Sequence, residues 1–190
     1  MTMAPIAVED LEILLPEKDI QAEVKALAGR VASAYEGRPL LLVGVLKGAW
    51  VFLADLVRHI PFNVDVDFIK VSSYGNATDS SGEVKFEMDF SHSIQGKDVL
   101  IVEDIVDSGL TLKYLKKNLL TRKPASVRVC ALLDKPERHQ TDVEIDYRGF
   151  EIPDRFVVGY GLDCAGFFRN LPSVAALTPE QSSALVQARR

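Results

Sequence analysis

The sequence predicts an α/β domain with a mostly parallel central sheet flanked by helices. Three observations carry this. Leu40–Leu46, Val99–Val102 and Ser126–Leu133 are largely apolar runs of strand length, as expected of strands buried on both faces. Between them lie stretches whose apolar residues recur every three or four positions, the spacing of an amphipathic helix. Strand, helix, strand, helix, strand in this order is what crossover connections between parallel strands produce.

The elements follow in order. Ile20, Val24, Leu27, Val31 and Tyr35 fall on one face, so 17–36 reads as a helix, stopped by Gly37-Arg38-Pro39. Leu40–Leu46 is a buried strand; Lys47-Gly48 breaks it, and Ala49 to His59 reads as a helix ended by Pro61. Val64, Val66, Phe68 and Lys70 alternate with Asp65, Asp67 and Ile69, a strand pattern. Residues 72–83 are polar and rich in turn formers, and a connection this long is usually functional or disordered. A return strand is expected over Val84–Phe90, a strand over 98–103, and a helix over 110–120 with Leu112, Leu115 and Leu119 inward. The strand Ser126–Leu133 and short β segments near 143–147 and 155–159 come next. Thr178-Pro179-Glu180 opens a last helix, with a capping residue and Pro at its first position. No repeat or linker divides the 190 residues, so 1–190 is expected to be one domain. The sheet core is expected at about 38–134, with 1–16 and 135–190 forming a small hood over the active edge.

Composition bounds the function. A net charge of −5 weakens any case for nucleic-acid binding. The two cysteines, Cys130 and Cys164, have no metal-ligand spacing and read as free thiols of a reducing compartment. His59, His92 and His139 match no metal motif and are expected at the surface. The acidic first twenty residues show no secretory pattern, and no apolar run approaches the roughly 18 residues of a membrane span. A cytoplasmic protein is expected, with neither membrane nor nucleic acid as partner.

The chemistry concentrates in Val99–Thr111. The strand ends on two acids, Glu103 and Asp104; Ile105 and Val106 follow; Asp107-Ser108-Gly109-Leu110-Thr111 then turns into a helix. Ligands of open α/β sheets bind beyond the carboxyl ends of strands, and a Gly-containing turn at a helix start offers its amides to an anion. Carboxylates beside an anion site need a cation between them, either a divalent metal or a positively charged sugar transition state. This run resembles the phosphoribosyl-diphosphate signature of the type I phosphoribosyltransferases: four apolar residues, paired acids, two apolar residues, then Asp-Ser/Thr-Gly-x-Thr. The match is unbroken.

Further segments narrow the resemblance. Leu46-Lys47-Gly48 repeats strand end, tight turn and helix start with a cation added; Val43–Ala49 resembles the diphosphate loop of the hypoxanthine-type enzymes, in which the peptide before the Lys is often cis. Ser72-Ser73-Tyr74-Gly75 resembles that family's mobile catalytic loop. Pro153–Asp163, with Arg169 and Leu171-Pro172, resembles its purine-binding segment, which the adenine, orotate and uracil enzymes lack. The likeness covers roughly 10–175, with one departure: where the family has Tyr after the Asp, this chain has Cys164, followed by Ala165-Gly166.

The resemblance implies the type I phosphoribosyltransferase fold and the transfer of ribose 5-phosphate from 5-phosphoribosyl 1-diphosphate to a 6-oxopurine, hypoxanthine and guanine first. Asp107, Ser108, Gly109, Leu110 and Thr111 would hold the 5′-phosphate, and Asp107 would also be the general base at purine N7. Glu103 and Asp104 would face the ribose hydroxyls and Mg²⁺, with Asp163 holding a second Mg²⁺ beside the purine. Lys47, Gly48 and Arg169 would take the diphosphate. Ser73 and Tyr74 would close over the reaction. Phe156 would stack on the purine opposite Ile105, Val157 would meet its edge through the backbone, and Lys135 would meet O6. A homo-oligomer, dimer or tetramer, is expected. Two alternatives remain open at this point: a related enzyme preferring xanthine or guanine, and a regulator that senses phosphoribosyl diphosphate and binds nucleic acid. The acidic balance and the complete catalytic set argue against the second.

Overall fold

The computed structural model describes residues 5–73 and 84–189. Its central sheet contains β2 (Leu40–Leu46), β3 (Asp65–Ser73), β4 (Val84–Met88), β5 (Asp98–Val106), β6 (Ser126–Asp134) and β7 (Tyr147–Glu151) in the order β4-β3-β2-β5-β6-β7. All neighbours are parallel except the edge pair β3–β4. The helices are α1 (Glu17–Tyr35), α2 (Trp50–Arg58), α3 (Leu110–Thr121) and α4 (Pro179–Ala188).

The continuous apolar runs are explained by burial on both faces. Leu40, Leu42, Leu100, Val102, Cys130 and Leu132 pack with α1 and α2, through Ile20, Val24, Leu27, Phe52, Leu53 and Leu56. The alternate residues Leu41, Val43, Val99, Ile101, Val127 and Val129 pack with Leu112, Leu115 and Leu119 of α3. All five residues assigned to the inner face of the first helix, Ile20, Val24, Leu27, Val31 and Tyr35, are fully buried. Truncating one such Leu to Ala would cost about 2–5 kcal/mol.

A second, antiparallel sheet has the order β1-β9-β8, from β1 (Glu12–Leu15), β8 (Phe156–Val158) and β9 (Val174–Leu177). Helix α4 lies over it, with Leu185 buried among Leu11, Val158, Cys164, Phe168, Leu171, Ala175 and Leu177. Thr178 caps α4 reciprocally: its Oγ accepts from Gln181 N at 3.2 Å and its N–H donates to Gln181 Oε1 at 2.9 Å.

Several sequence expectations are corrected. The strand placed near 143–147 lies at Tyr147–Glu151, which carries the central sheet beyond residue 134. The strand ended at 103 continues through both acids to Val106, because Glu103, Ile105 and Val106 still pair with Ala131, Leu133 and Asp134 of β6. The return strand stops at Met88, the segment near 155–159 is the three-residue β8, and three helix ends move inward by one residue. The strands β1 and β9 are not apparent in the sequence, since each has four residues and Val-Ala-Ala-Leu lacks strong strand formers. His139, expected at the surface, sits 2.7 Å from the fully buried Asp134.

Candidate active site

Parallel pairing brings the carboxyl ends of β2, β5 and β6 to one edge of the sheet, where the sequence places its chemistry. After β5 the chain turns through Asp107-Ser108-Gly109. Gly109 has φ 77°, a left-handed conformation that a side chain resists, and its notional Cβ would lie 2.6 Å from Val143 Cγ2. Gly109 at the N-cap has no side chain to cap α3, and only Ser108 Oγ, which accepts from Leu110 N at 3.4 Å, meets its first turn, so the next amides are open to a ligand. A cavity of about 120 Å³ lies here, lined by Glu103, Ile105, Asp107, Ser108, Gly109 and Thr111 among others. A small anion fits such a cradle of amides at a helix start.

The second strand-end turn meets the first at Asp104. The Leu46–Lys47 peptide is cis. Lys47 is exposed. A Cβ added to Gly48 would fall 1.5 Å from Asp104 Oδ2, so only glycine admits this approach. On its other side Gly48 presents its carbonyl oxygen to Gly161, whose own notional Cβ would lie 2.1 Å from it. Gly48 is thus held between the acid of one strand end and the turn that follows β8.

Asp163 and Arg169 form a pair, with Arg169 Nη2 2.5 Å from Asp163 Oδ1. Arg169 Nη1 also donates to Gly161 O at 2.7 Å, and Gly166 N donates to Asp163 Oδ2 at 2.6 Å. Both residues act on Asp104. Burial pushes the Asp104 carboxyl up to about 6, against the hydrogen bond from Ile105 N and the Arg169 charge, while the Asp163 charge adds to the rise. Burial, followed by the charge of Asp104, pushes Glu103 well above the usual carboxylate range. Glu103 Oε2 is buried with no hydrogen-bond partner. A buried acceptor in that state calls for a proton or a cation.

The remaining residues come from β5 and the turn after it, from the segment after β6 and from β8. Lys135 is only 6% exposed, which excludes a solvated strand cap. Its N–H donates to Val106 O at 2.9 Å, and its ammonium lies 3.8 Å from Asp154. Phe156 is 49% exposed at the start of β8, unusual for an aromatic residue beside the buried Val157. Ile105 is half-buried and lines the anion cavity. Asp107 Oδ1 accepts a hydrogen bond from Arg138 Nε at 2.9 Å, and Arg138 Nε also lies 3.7 Å from Asp154. The sequence reading missed Arg138. A 3₁₀ turn at Pro136–Arg138 brings it back toward the site, and Lys-Pro-Glu-Arg carries the signal for that turn. Ser73 ends β3, while Tyr74 and the rest of the expected loop to residue 83 lie outside the described residues.

Among the described residues, no three His, Cys, Asp or Glu side chains converge into a group able to cage a metal ion by themselves. The acids do suit a hard cation that takes most of its ligands from substrate oxygens and water, as Mg²⁺ commonly does. The orphaned Glu103 Oε2 and the raised Asp104 are the observations that fit it. No described helix is long and apolar enough to cross a membrane.

Comparison with known proteins adds a family. A model of the phosphoribosyl transferase domain matches residues 10–165. The hypoxanthine-guanine phosphoribosyltransferase of Bacillus subtilis (strain 168) is 50% identical over 171 residues, covering 90% of this chain and 95% of that protein. The bifunctional protein TilS/HprT of Listeria monocytogenes serotype 4b (strain F2365) is 48% identical over 169 residues, 89% of this chain but only 26% of that longer protein. The crystal structure of a hypoxanthine phosphoribosyltransferase from Staphylococcus aureus superposes with a TM-score of 0.88 at 47% identity, over 90% of this chain and 94% of that one.

Proposed function

The chain belongs to the phosphoribosyl transferase family, and on that premise we propose that it is a purine salvage enzyme of the hypoxanthine-guanine type. It transfers ribose 5-phosphate from 5-phosphoribosyl 1-diphosphate to N9 of hypoxanthine or guanine, giving the nucleoside monophosphate and diphosphate. The single observation that carries the reading is the contact of Gly48 with Asp104, at a notional Cβ distance of 1.5 Å, because it joins the two strand-end turns into one two-anion site.

Each residue then has a task. The amides and hydroxyls of Ser108–Thr111 hold the 5′-phosphate in the cavity above α3. Lys47, the Gly48 backbone and Arg169 receive the diphosphate. Glu103 and Asp104 face the ribose hydroxyls and offset charge that develops on the ring as the bond to diphosphate breaks. Bound Mg²⁺ would neutralise diphosphate charge and make it a better leaving group, with Glu103, Asp104 and Asp163 as the protein groups nearest it. Phe156 offers an open ring face to the purine, with Ile105 opposite. Lys135 donates to O6, and the Val157 backbone meets the purine edge. Asp107 takes the proton at N7 once Arg138 has released it. Ser73 and Tyr74 close over the reacting atoms and exclude water.

A cytoplasmic setting suits Cys130 and Cys164, both free and buried. A homo-oligomer, dimer or tetramer, would cover apolar surface at Trp50, Val66 and Met88, which are 48%, 44% and 39% exposed. The decisive assay supplies phosphoribosyl diphosphate and Mg²⁺ with hypoxanthine, guanine, xanthine or adenine in turn. Nucleotide from the first two is the expected result; xanthine as the sole good acceptor would replace this reading with the xanthine-preferring one, and no product from any of them would overturn the activity.

A further inference from the structure

We infer that Tyr160 and Asp55 are positioning residues for the diphosphate end of the site, locking the 159–161 turn against Gly48. The inference rests on the reading that Gly48 and Arg169 receive diphosphate.

Gly159, Tyr160 and Gly161 have φ of 98°, 51° and 101°, three consecutive residues in the left-handed half of backbone space. For a non-glycine residue such as Tyr160 that conformation is unfavourable, and it persists where the surroundings over-determine it. The turn's amides are satisfied locally: Tyr160 N donates to Leu171 O at 2.8 Å and Gly161 N to Arg169 O at 2.9 Å. The side chain does something different. Tyr160 is 3% exposed, and its phenol donates to Asp55 Oδ2 at 2.6 Å. Gln21 Nε2 donates to the same oxygen at 2.9 Å, and Arg58 Nη1 lies 3.8 Å from the other. Burial first, then the bond to Asp55, raises the Tyr160 phenol, so it stays a protonated donor. A charge-assisted bond of this kind is among the stronger tethers a protein has.

The location of Asp55 gives the tether its consequence. It lies on α2, the helix that starts just after Gly48. One rigid element therefore carries the diphosphate turn at its leading end and the anchor of the opposing turn on its body. From Tyr160 the contacts run on without a gap. Gly161 abuts Gly48 O, Gly48 abuts Asp104 Oδ2, and Arg169 Nη1 holds Gly161 O at 2.7 Å. Loosening the phenol frees Gly161, and with it the Gly48 carbonyl and the Arg169 guanidinium. Lys135 and Phe156 stand outside this chain of contacts. A core-filling tyrosine would affect stability alone, whereas a positioning one affects the two substrates unequally.

The test compares Tyr160→Phe, Asp55→Asn, Asp55→Ala and the double variant Tyr160→Phe/Asp55→Ala by steady-state kinetics, with thermal melting alongside. Tyr160→Phe and Asp55→Ala should each raise the KM for phosphoribosyl diphosphate about tenfold, while that for hypoxanthine changes less than about twofold. The double variant should be no worse than the weaker single one, because both remove the same bond. Asp55→Asn, which still offers an acceptor, should recover most of the loss. If Asp55→Ala does not fold, Tyr160→Phe and Asp55→Asn carry the comparison, since both keep the side-chain shape. A lower melting temperature with both KM values unchanged, or both KM values raised equally, overturns the inference. Arg169→Gln separates it from the reading beneath it. If Arg169→Gln raises the phosphoribosyl diphosphate KM and Tyr160→Phe does not, only the positioning role falls; if neither does, the diphosphate site itself is misplaced and both fall.

Discussion

Replacing Asp104 by Asn should make the unliganded protein more stable at neutral pH while abolishing its use of phosphoribosyl diphosphate. The folded-state carboxyl is pushed up to about 6 from the ordinary 3.8, chiefly by burial. Below the ordinary value the group is protonated in both folded and unfolded chains and contributes nothing. As pH rises through the window between the two values, the unfolded chain ionises first and the fold loses stability. Above about 6 the loss is complete. A difference of about 2 in pKa, at about 1.4 kcal/mol each, gives about 3 kcal/mol, and partial exposure of the side chain lowers this to about 2–3 kcal/mol. Asparagine keeps the shape and removes the charge. At 2–4 °C per kcal/mol for a chain of this size, Asp104→Asn should melt about 4–12 °C above the parent at pH 7.5 without divalent cations. Roughly half that gain should remain at pH 5. Differential scanning calorimetry at the two pH values measures it. A variant no more stable than the parent at pH 7.5, or equally stabilised at both pH values, would refute the argument that a carboxylate disfavoured by burial is stored at this strand end.

Three other substitutions test the site directly. Asp107→Asn removes the proposed base and its ion pair with Arg138; kcat should fall by about 10²–10⁴ while phosphoribosyl diphosphate still binds in calorimetry, and an unchanged kcat would remove Asp107 from the mechanism. Gly48→Ala forces a methyl group into Asp104 Oδ2 at 1.5 Å, so kcat/KM for phosphoribosyl diphosphate should drop by at least about 10²; near-parent activity would mean that the contact does not organise the site. Lys135→Ala removes a buried donor that suits a 6-oxo group and opposes the 6-amino group of adenine. Hypoxanthine use should fall and its margin over adenine should narrow, whereas unaltered kinetics with both bases would assign Lys135 a structural role.

Much of this was legible in the sequence because the physics is local. Val99–Val102 reads as a doubly buried strand from its own composition, and Asp107-Ser108-Gly109 reads as a turn into a helix because Gly109 takes a conformation few residues tolerate. Lys47, Asp163 and Arg169 are legible through likeness to known motifs, but the action of Asp163 and Arg169 on Asp104, and the approach of Gly48 to Asp104 and Gly161, have no local signature. The strands of the second sheet escaped for a different reason. Glu12–Leu15 and Val174–Leu177 become strands only by pairing with each other and with β8. Asp55 is similarly silent: an acid midway along an amphipathic helix reads as solvated until Tyr160, more than a hundred residues later, is seen to meet it. Arg138 needed only the recognition that Lys-Pro-Glu-Arg makes a tight turn.

The pairing of β1 with β9 also sets an order in time. The strands of the central sheet lie between Leu40 and Glu151, so a chain growing from its amino end holds the whole sheet before β9 exists. Glu12 finds its partner Ala176 only after every strand of that sheet has been made. Pairings this distant in sequence form late and slowly, because closing the intervening chain costs entropy before any contact repays it. A nascent molecule should therefore own the proposed phosphate cradle while the proposed purine platform is still unfinished, since Val157 gains its partner Ala176 in the same event. Pulsed hydrogen exchange during refolding should record amides of Leu42 and Leu100 as protected ahead of those of Val157 and Ala175. β1 waits for β9, and the proposed purine site is complete only when they meet.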